Sequence, residues 1–90
     1  MGVRVLIPET FQTATGGVEE VMVEGETVGQ CLNKAVEKYP RLQKLWFVEK
    51  DTLAHYLLIF VNGENIHGDS LKHVVKDGDE IYPMLIIGGG

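Results

Sequence analysis

Three glycines close the sequence, and their type and position suit chemistry better than those of any other residues. Gly88, Gly89 and Gly90 directly follow a run of apolar residues. Glycine loses more backbone freedom on ordering than any other residue, so this tail adds little to the stability of a fold. A thread without Cβ atoms does suit a carboxylate that must enter a narrow active site and be attacked there. We expect either that role for the carboxylate of Gly90 or a frayed chain end.

The side chains offer few other reactive groups. Cys31 is the only cysteine and lies in an apolar helical stripe, so we expect a buried structural thiol and not a nucleophile. The histidines lack the spacing of metal ligands; they are His55, His67 and His73. Several acidic residues fall in turns, where we expect solvated or turn-capping groups; they are Glu64, Asp69, Asp77 and Asp79. The sequence therefore predicts no catalytic residue, no metal and no bound cofactor.

The composition describes one small folded domain. The chain has 90 residues, of which 44% are hydrophobic and 23% are charged, enough for a single core. Eight basic and thirteen acidic residues give a net charge of −5, and the dispersed lysines form no stripe for nucleic acid. The longest apolar run, residues 56–61, is too short to cross a bilayer. We expect a cytoplasmic protein with neither nucleic-acid nor membrane partners.

Alternating apolar residues predict two N-terminal strands, over residues 3–7 and about 19–24. A short connection, expected to be a loop over residues 9–17, favours an antiparallel pair. Thr27 then begins a helix as its N-cap, and Gln30 completes a capping box. The apolar stripe of this helix has helical spacing; it consists of Val28, Cys31, Leu32, Ala35, Val36 and Tyr39. Pro40 ends the helix.

The second half of the chain predicts strands joined by tight turns. Residues 42–47 are expected to pack as a short turn under the sheet, and residues 49–51 as an exposed loop. Residues 56–61 are apolar on both faces, which is typical of a central strand. Asn62-Gly63 predicts a hairpin turn into a short strand at residues 64–66. Leu71, Val74 and Val75 are expected to anchor one helical turn.

The last strand is predicted over residues 80–87. Pro83 lies within it and cannot donate a backbone hydrogen bond, so its position must face an open edge or a bulge. The order of elements describes an α+β fold, the β-grasp or ubiquitin-like arrangement, with a mixed sheet of about five strands wrapped on one main helix. We expect a β-grasp domain over residues 1–87 and a flexible glycine tail over residues 88–90.

At this point the chain resembles the MoaD/ThiS-type sulfur carriers over nearly its whole length. The order and spacing of several segments carry the resemblance; they are Ile7-Pro8, Thr15-Gly16-Gly17, Val61-Asn62-Gly63-Glu64, Leu71 with residues 76–81, and Gly89-Gly90. Within that family, the opening segments are most similar to the sulfur carrier of a cysteine-biosynthesis route. The small subunit of molybdopterin synthase is the next most similar. The bulky Ile86 and Ile87 depart from the smaller residues that the family often has before its diglycine.

The resemblance implies a carrier or protein co-substrate, not an enzyme. An E1-like adenylyltransferase would activate the carboxylate of Gly90 with ATP and Mg²⁺, and a thiocarboxylate would follow. Gly88 and Gly89 would thread the tunnel of the partner. A sulfur-accepting synthase, either the molybdopterin-synthase large subunit or a cysteine-synthase type, would then take the sulfur.

The C-terminal strands also suggest a docking surface. We expect Tyr56, Leu58 and Phe60 to remain partly exposed for a partner, with Met84 and Ile86 beside them. The alternative is that both faces of these strands are core. Other functions also stay open: a ubiquitin-like modifier joined to lysines, a sulfur carrier for tRNA thiolation, or an adaptor domain with incidental glycines.

Overall fold

The computed structural model describes residues 2–49 and 52–86. Its helices and strands follow in chain order: β1 (Val3–Leu6), a 3-10 helix (Glu9–Ala14), β2 (Glu20–Val23), α1 (Val28–Lys38), α2 (Leu42–Trp46), β3 (Phe47–Glu49), β4 (Thr52–Leu53), β5 (Leu57–Val61), β6 (Glu64–Asn65), a second 3-10 helix (Ser70–Lys72) and β7 (Glu80–Leu85).

Five strands form one mixed sheet in the order β2-β1-β7-β5-β6. β1 pairs antiparallel with β2 and parallel with β7, while β5 pairs antiparallel with both β7 and β6. The core lies between this sheet and α1, and Val5, Leu32, Ala35 and Ile81 are fully buried there. This arrangement is the β-grasp, so the predicted α+β fold with one main helix is confirmed.

The N-terminal hairpin follows its predicted alternation, but its connection is more ordered than expected. Val3 and Val5 are buried whereas Arg4 is exposed. Residues 9–14, predicted to be loop, form a 3-10 helix that buries Phe11. The Phe11 ring meets the Trp46 ring edge-on, with centroids 6.1 Å apart. A single aromatic residue has no periodicity, so the sequence alone did not reveal this packing.

Helix α1 is capped as predicted, with one shift in the hydrogen bonding. The Gln30 N–H donates to Thr27 Oγ1 at 3.2 Å. Gln30 Oε1 accepts from the N–H of Glu26 at 2.8 Å, one residue before the N-cap. The Tyr39 N–H makes the last helical bond, to the Ala35 carbonyl, and Pro40 follows. Each of the two side-chain bonds satisfies a backbone N–H group at the start of the helix, and together they stabilise that end.

The segment after α1 contains two short strands that the sequence did not predict. α2 buries Leu42 and Trp46, as expected for a turn under the sheet. Phe47 then pairs with Leu53, which joins β3 and β4 into a separate two-stranded sheet. Glu49 is exposed at the end of β3, while residues 50 and 51 lie outside the described part of the chain.

Two turns flank the start of β7 and are joined to each other. Asn62 and Gly63 have φ of 53° and 84°, the two positive values that the predicted hairpin turn needs. Asn62 Nδ2 donates to Asp79 Oδ1 at 2.9 Å, and the Lys76 N–H donates to Asp79 Oδ2 at 2.9 Å. Asp79 therefore caps its turn as expected. It is buried, however, at 7% exposure, and not solvated.

The predicted helical turn around Leu71 is shorter than expected. The 3-10 helix covers only Ser70–Lys72, and Val74 is 72% exposed, so Val74 anchors nothing. The chain instead runs extended beside the start of α1, where the Val28 N–H donates to the His73 carbonyl at 3.0 Å. Val75 returns to the core, and the half-buried Leu71 packs against it. The prediction for Val74 was therefore wrong, because extended backbone turns neighbouring side chains to opposite sides.

Pro83 occupies a central strand, not an edge strand, and its side chain is buried. The hydrogen bonds from Asn62 N–H to Glu80 and from Ile86 N–H to Tyr56 fix which residues of β7 bond to β5. In that alternation the nitrogen of Pro83 points away from β5, toward β1. The last β1–β7 pair in the described residues is Val5 with Ile81. The open edge predicted for Pro83 is therefore a short stretch of β7, beyond its last described pair with β1.

Candidate functional site: the open sheet face and the root of the tail

The described chain ends at Ile86, one residue after β7. The Ile86 N–H donates to the Tyr56 carbonyl at 2.7 Å, so the root of the C-terminal tail is hydrogen-bonded beside the start of β5. The Ile86 side chain is 40% exposed. Gly88, Gly89 and Gly90, the predicted site of attachment and threading, lie outside the described residues.

Tyr56 holds this root in place through a second contact. Its hydroxyl donates to the Leu45 carbonyl of α2 at 3.0 Å, and its ring packs against the buried core. The side chain therefore turns toward α2. Tyr56, Leu58 and Phe60 are all half-buried, so each stays partly exposed as predicted. The hydroxyl bond of Tyr56 to α2 distinguishes it from the other two.

The uncovered face of the sheet carries a band of half-buried apolar side chains, here called the apolar patch: Leu6, Leu58, Phe60, Tyr82 and Met84. Leu58 pairs with Met84, and Phe60 pairs with Tyr82 across β5 and β7. The Phe60 and Tyr82 rings lie 6.5 Å apart at an angle of 57°. A shallow groove runs through the patch, with Gly63 and Glu80 completing its walls.

The alternation of β5 explains why this face is open. Leu57, Ile59 and Val61 are buried under the helix, whereas Leu58 and Phe60 point to the other side and remain partly exposed. Only one face of β5 is therefore core, and the alternative that both faces are core is wrong. Tyr82 and Leu6 were not among the predicted docking residues. In the sequence, Tyr82 lies two residues before Met84, and Leu6 lies two residues after Arg4, so each shares a strand face with that residue. The sequence does not show that β7 pairs with both β1 and β5, which brings Leu6 and Tyr82 together.

An exposed ion cluster borders the patch on β1. Arg4 Nη1 lies 3.1 Å from a Glu80 carboxylate oxygen, and its Nε lies 3.9 Å from Glu20. Exposed pairs of this kind contribute little to stability, so this cluster sets the charge at the border of the patch more than it stabilises the fold.

Cys31 is fully buried on α1, which confirms the prediction of a structural thiol. Burial, and to a smaller extent the negative charge of Glu24, raises the pKa of this thiol to about 11. The thiol is therefore protonated at neutral pH and is not available as a nucleophile.

Within residues 2–49 and 52–86, no group of three or more His, Cys, Asp or Glu side chains is arranged to hold a metal ion. In the same ranges, no helix is long and apolar enough to cross a membrane.

A sequence profile described as the ThiS family matches residues 5–90. The chain belongs to the ThiS family. This match covers nearly all of the sequence, including the apolar patch, the root of the tail and the glycines beyond it. The resemblance drawn from the short segments is thereby confirmed.

Solved structures extend the comparison. The small archaeal modifier protein 1 (SAMP1) of Methanosarcina acetivorans is 32% identical, with 98% of this chain and 95% of that chain covered and a TM-score of 0.85. A chain in the crystal structure of the Amycolatopsis orientalis BexX/CysO complex is 29% identical, with 99% and 100% covered and a TM-score of 0.85. CysO of Mycobacterium tuberculosis, at 24% identity and a TM-score of 0.84 over 96% and 100%, shares the fold.

The search of curated proteins found no significant match to the chain. The family match and the two more similar structures place this ThiS-family protein among small ubiquitin-like sulfur carriers and modifiers.

Proposed function

We propose that this protein is a sulfur carrier. An E1-like enzyme adenylates the carboxylate of Gly90, sulfur replaces the adenylate, and the resulting thiocarboxylate donates its sulfur in cysteine or molybdopterin biosynthesis. The observation that carries the proposal is the family match, which runs through Gly90 and so includes the glycine tail. The chain itself is the substrate in this scheme, and the catalytic groups belong to its partners.

The chemistry explains why glycines are needed there. A carboxylate is a poor electrophile, so its oxygen first attacks the α-phosphorus of ATP, releasing pyrophosphate and forming an acyl adenylate. A sulfur nucleophile, supplied as a persulfide, then attacks the carbonyl carbon, and AMP leaves. Reductive cleavage of the S–S bond by a thiol leaves the thiocarboxylate. Glycine at the reacting carbonyl offers the attacking sulfur no Cβ to pass.

The anchored root supports this use of the tail. Ile86 is hydrogen-bonded at its N–H, and residues 87–90 follow it in sequence. Four residues span at most about 14 Å when fully extended. A partner that accepts the tail must therefore bring its reactive groups within that distance of Ile86. The apolar patch on the same sheet offers a surface that can hold the partner so close.

We assign docking to Leu58, Phe60, Met84 and Ile86, together with Tyr82 and Leu6. These side chains are apolar and partly exposed, which is typical of a surface that a partner covers. ATP and Mg²⁺ bind to the activating partner. The CysO structure from Amycolatopsis orientalis is a complex with BexX, and we propose that this chain likewise works with a separate sulfur-accepting protein.

Intact-mass spectrometry tests the proposal directly. The protein is incubated with an E1-like enzyme, MgATP and a persulfide donor, and should gain the mass of one oxygen-to-sulfur exchange. A variant lacking Gly89 and Gly90 should gain none, whereas Glu37→Gln, an exposed change on α1, should react like the wild type. Equal thiolation of the shortened chain would show that the tail is not the site.

Conjugation to proteins is a second candidate function, favoured by the 32% identity to a small archaeal modifier protein. In that case the acyl adenylate is captured through an E1-like enzyme by a lysine amine, which forms an isopeptide with Gly90 and releases AMP. The two functions differ on a denaturing gel: conjugates that withstand thiols and contain Gly90 linked to lysine support the modifier. A thiocarboxylate without such conjugates supports the carrier.

A further inference from the structure

The outer edge of β2 is unpaired in the described structure and has a defined hydrogen-bonding pattern. β2 is the terminal strand of the sheet, with β1 on one side only. The Ile7 N–H donates to the Glu19 carbonyl at 2.8 Å, and the register pairs Val5 with Val21. In an antiparallel ladder the backbone groups alternate in direction. The N–H and C=O groups of Val21 and Val23 therefore face β1, whereas those of Glu20 and Met22 point outward.

The side chains along this edge have a distinct pattern. Glu20, Met22 and Glu24 share one face at alternate positions, and all three are exposed. Met22 is 56% exposed, so its apolar side chain is open to a partner. Glu20 lies 3.9 Å from Arg4 but its side chain keeps 55% of its surface open. The edge thus presents an acidic, an apolar and an acidic group in turn.

A groove lies along the same edge, between β2 and α1. Its walls are Met22, Val23 and Glu24 from the strand side and Lys34, Glu37 and Lys38 from the helix. The helix wall has two lysines and one glutamate, so the acidic character of this edge comes from the strand side. This groove is separate from the apolar patch, which involves β1, β5 and β7.

A second copy of this chain is a poor occupant of the edge. Pairing β2 with β2 would bring Glu20 and Glu24 of both copies to one edge. Like charges opposite each other destabilise a sheet, whereas opposite charges stabilise it. Acidic side chains at sheet edges also disfavour pairing between identical chains. Charge therefore points to a partner strand with basic side chains.

We propose that the free edge of β2 binds an extended segment of a partner protein as an added antiparallel strand. An apolar side chain of that segment lies opposite Met22, and basic side chains two residues to either side lie opposite Glu20 and Glu24. The outward N–H and C=O groups of Glu20 and Met22 supply the main-chain hydrogen bonds. This site does not depend on the proposed thiocarboxylate chemistry.

A pair of synthetic peptides tests the proposal. The probe is a capped peptide in which lysine, isoleucine and lysine alternate with threonine, and its matched control has glutamate in place of both lysines. Binding is followed by the amide chemical shifts of the ¹⁵N-labelled full chain. The basic peptide should shift the amides of residues 20–24. The acidic peptide should bind about tenfold more weakly, since two attractive cross-strand pairs become repulsive.

Substitutions at the edge separate strand addition from simple charge attraction. Met22→Pro removes an outward N–H without removing a bond to β1, and edge strands accept proline at such positions. It should weaken binding of the basic peptide about tenfold relative to Met22→Ala, which keeps the N–H. The double change Glu20→Lys and Glu24→Lys leaves the backbone unaltered and should reverse the peptide preference.

Four results would overturn the proposal. They are absence of binding by either peptide, equal binding of both peptides, shifts confined to the apolar patch, and failure of the double change to alter the preference. A concentration-dependent dimer that broadens the amides of β2 would show that a second copy occupies the edge instead. Thermal unfolding of each variant confirms that it is folded before binding is measured. If Met22→Pro is unfolded, hydrogen exchange of the Glu20 and Met22 amides decides between strand addition and charge attraction, and absence of protection by the basic peptide overturns the proposal.

Discussion

Asp79 offers the sharpest test of how the two turns beside β7 are held together. Its buried carboxylate accepts from Asn62 Nδ2 and from the Lys76 N–H, both at 2.9 Å. The hydrogen bond from Asn62, followed by that from Lys76, holds the pKa of this carboxyl below its usual value. The substitution Asp79→Asn keeps the shape of the side chain but turns a charged acceptor into an amide with only one acceptor oxygen.

The expected loss follows from those two bonds. Hydrogen bonds to a charged group contribute about 1.5–3 kcal/mol each, but Asn62 and Lys76 are exposed residues, so water replaces part of what is lost. We expect Asp79→Asn to lower the free energy of unfolding by about 2–3 kcal/mol at pH 7. For a domain of this size, that lowers Tm by about 10–20 °C. Asp77→Asn, an exposed change on the same turn, should stay within about 0.5 kcal/mol of wild type.

The pH dependence of the free energy of unfolding tests whether the charge of Asp79 is stabilising. A carboxyl whose pKa is lower in the folded state stabilises the protein above its unfolded pKa, and that stabilisation is lost as the pH falls through the folded pKa. Urea unfolding of wild type and Asp79→Asn should therefore converge in strong acid. A gap in unfolding free energy that stays constant from neutral to acidic pH, or no gap at all, would refute the role given to the charge of Asp79.

Two further predictions concern Cys31 and the apolar patch. Because burial raises the pKa of Cys31 to about 11, the unfolded thiol ionises first as the pH rises. The free energy of unfolding should therefore fall by about 2 kcal/mol between pH 9 and 11 relative to Cys31→Ala. Parallel alkaline profiles of the two proteins in urea unfolding would contradict this. Phe60→Ala should weaken docking to the activating enzyme, so the KM of that enzyme for this protein should rise about tenfold. The change should lower the free energy of unfolding by only about 1 kcal/mol, because Phe60 is half-buried. The buried neighbour Ile59→Ala should cost about 2–5 kcal/mol and leave the KM of the remaining folded protein unchanged; the reverse pattern would remove the patch as a docking surface.

Local patterns in the sequence predicted the elements that depend on near neighbours. The stripe and N-cap of α1, the Asn62-Gly63 turn and the alternation of β1 were all confirmed, because each is set by residues within a few positions. The burial of Cys31 followed from the same helical stripe. The order of these elements was also enough to predict the β-grasp.

Contacts between distant segments could not be read in this way. Phe11 packs against Trp46, and the strands β3 and β4 pair with each other, although neither segment has a periodic pattern. Val74 looked like a core residue by type but lies outward on extended backbone. Trp46 lies far from Phe11 in sequence, and composition carries no information about such a partner. β3 and β4 are neighbours in sequence, but strands this short have too few alternating positions to be predicted.

The sequence by itself determined the fold class, the main helix, the hairpin turn and the chemical character of the glycine tail. Only the tertiary structure decided which residues share a surface. Alternation assigns each side chain to one of two faces, but it does not say which strands are neighbours or in what register. The central position of β7 brings Leu6 and Tyr82 beside Phe60, and a hydroxyl bond to Leu45 turns Tyr56 away. Likewise, the terminal position of β2 leaves Met22 on an open edge, since strand order is set by packing across the whole domain and not by the strand itself.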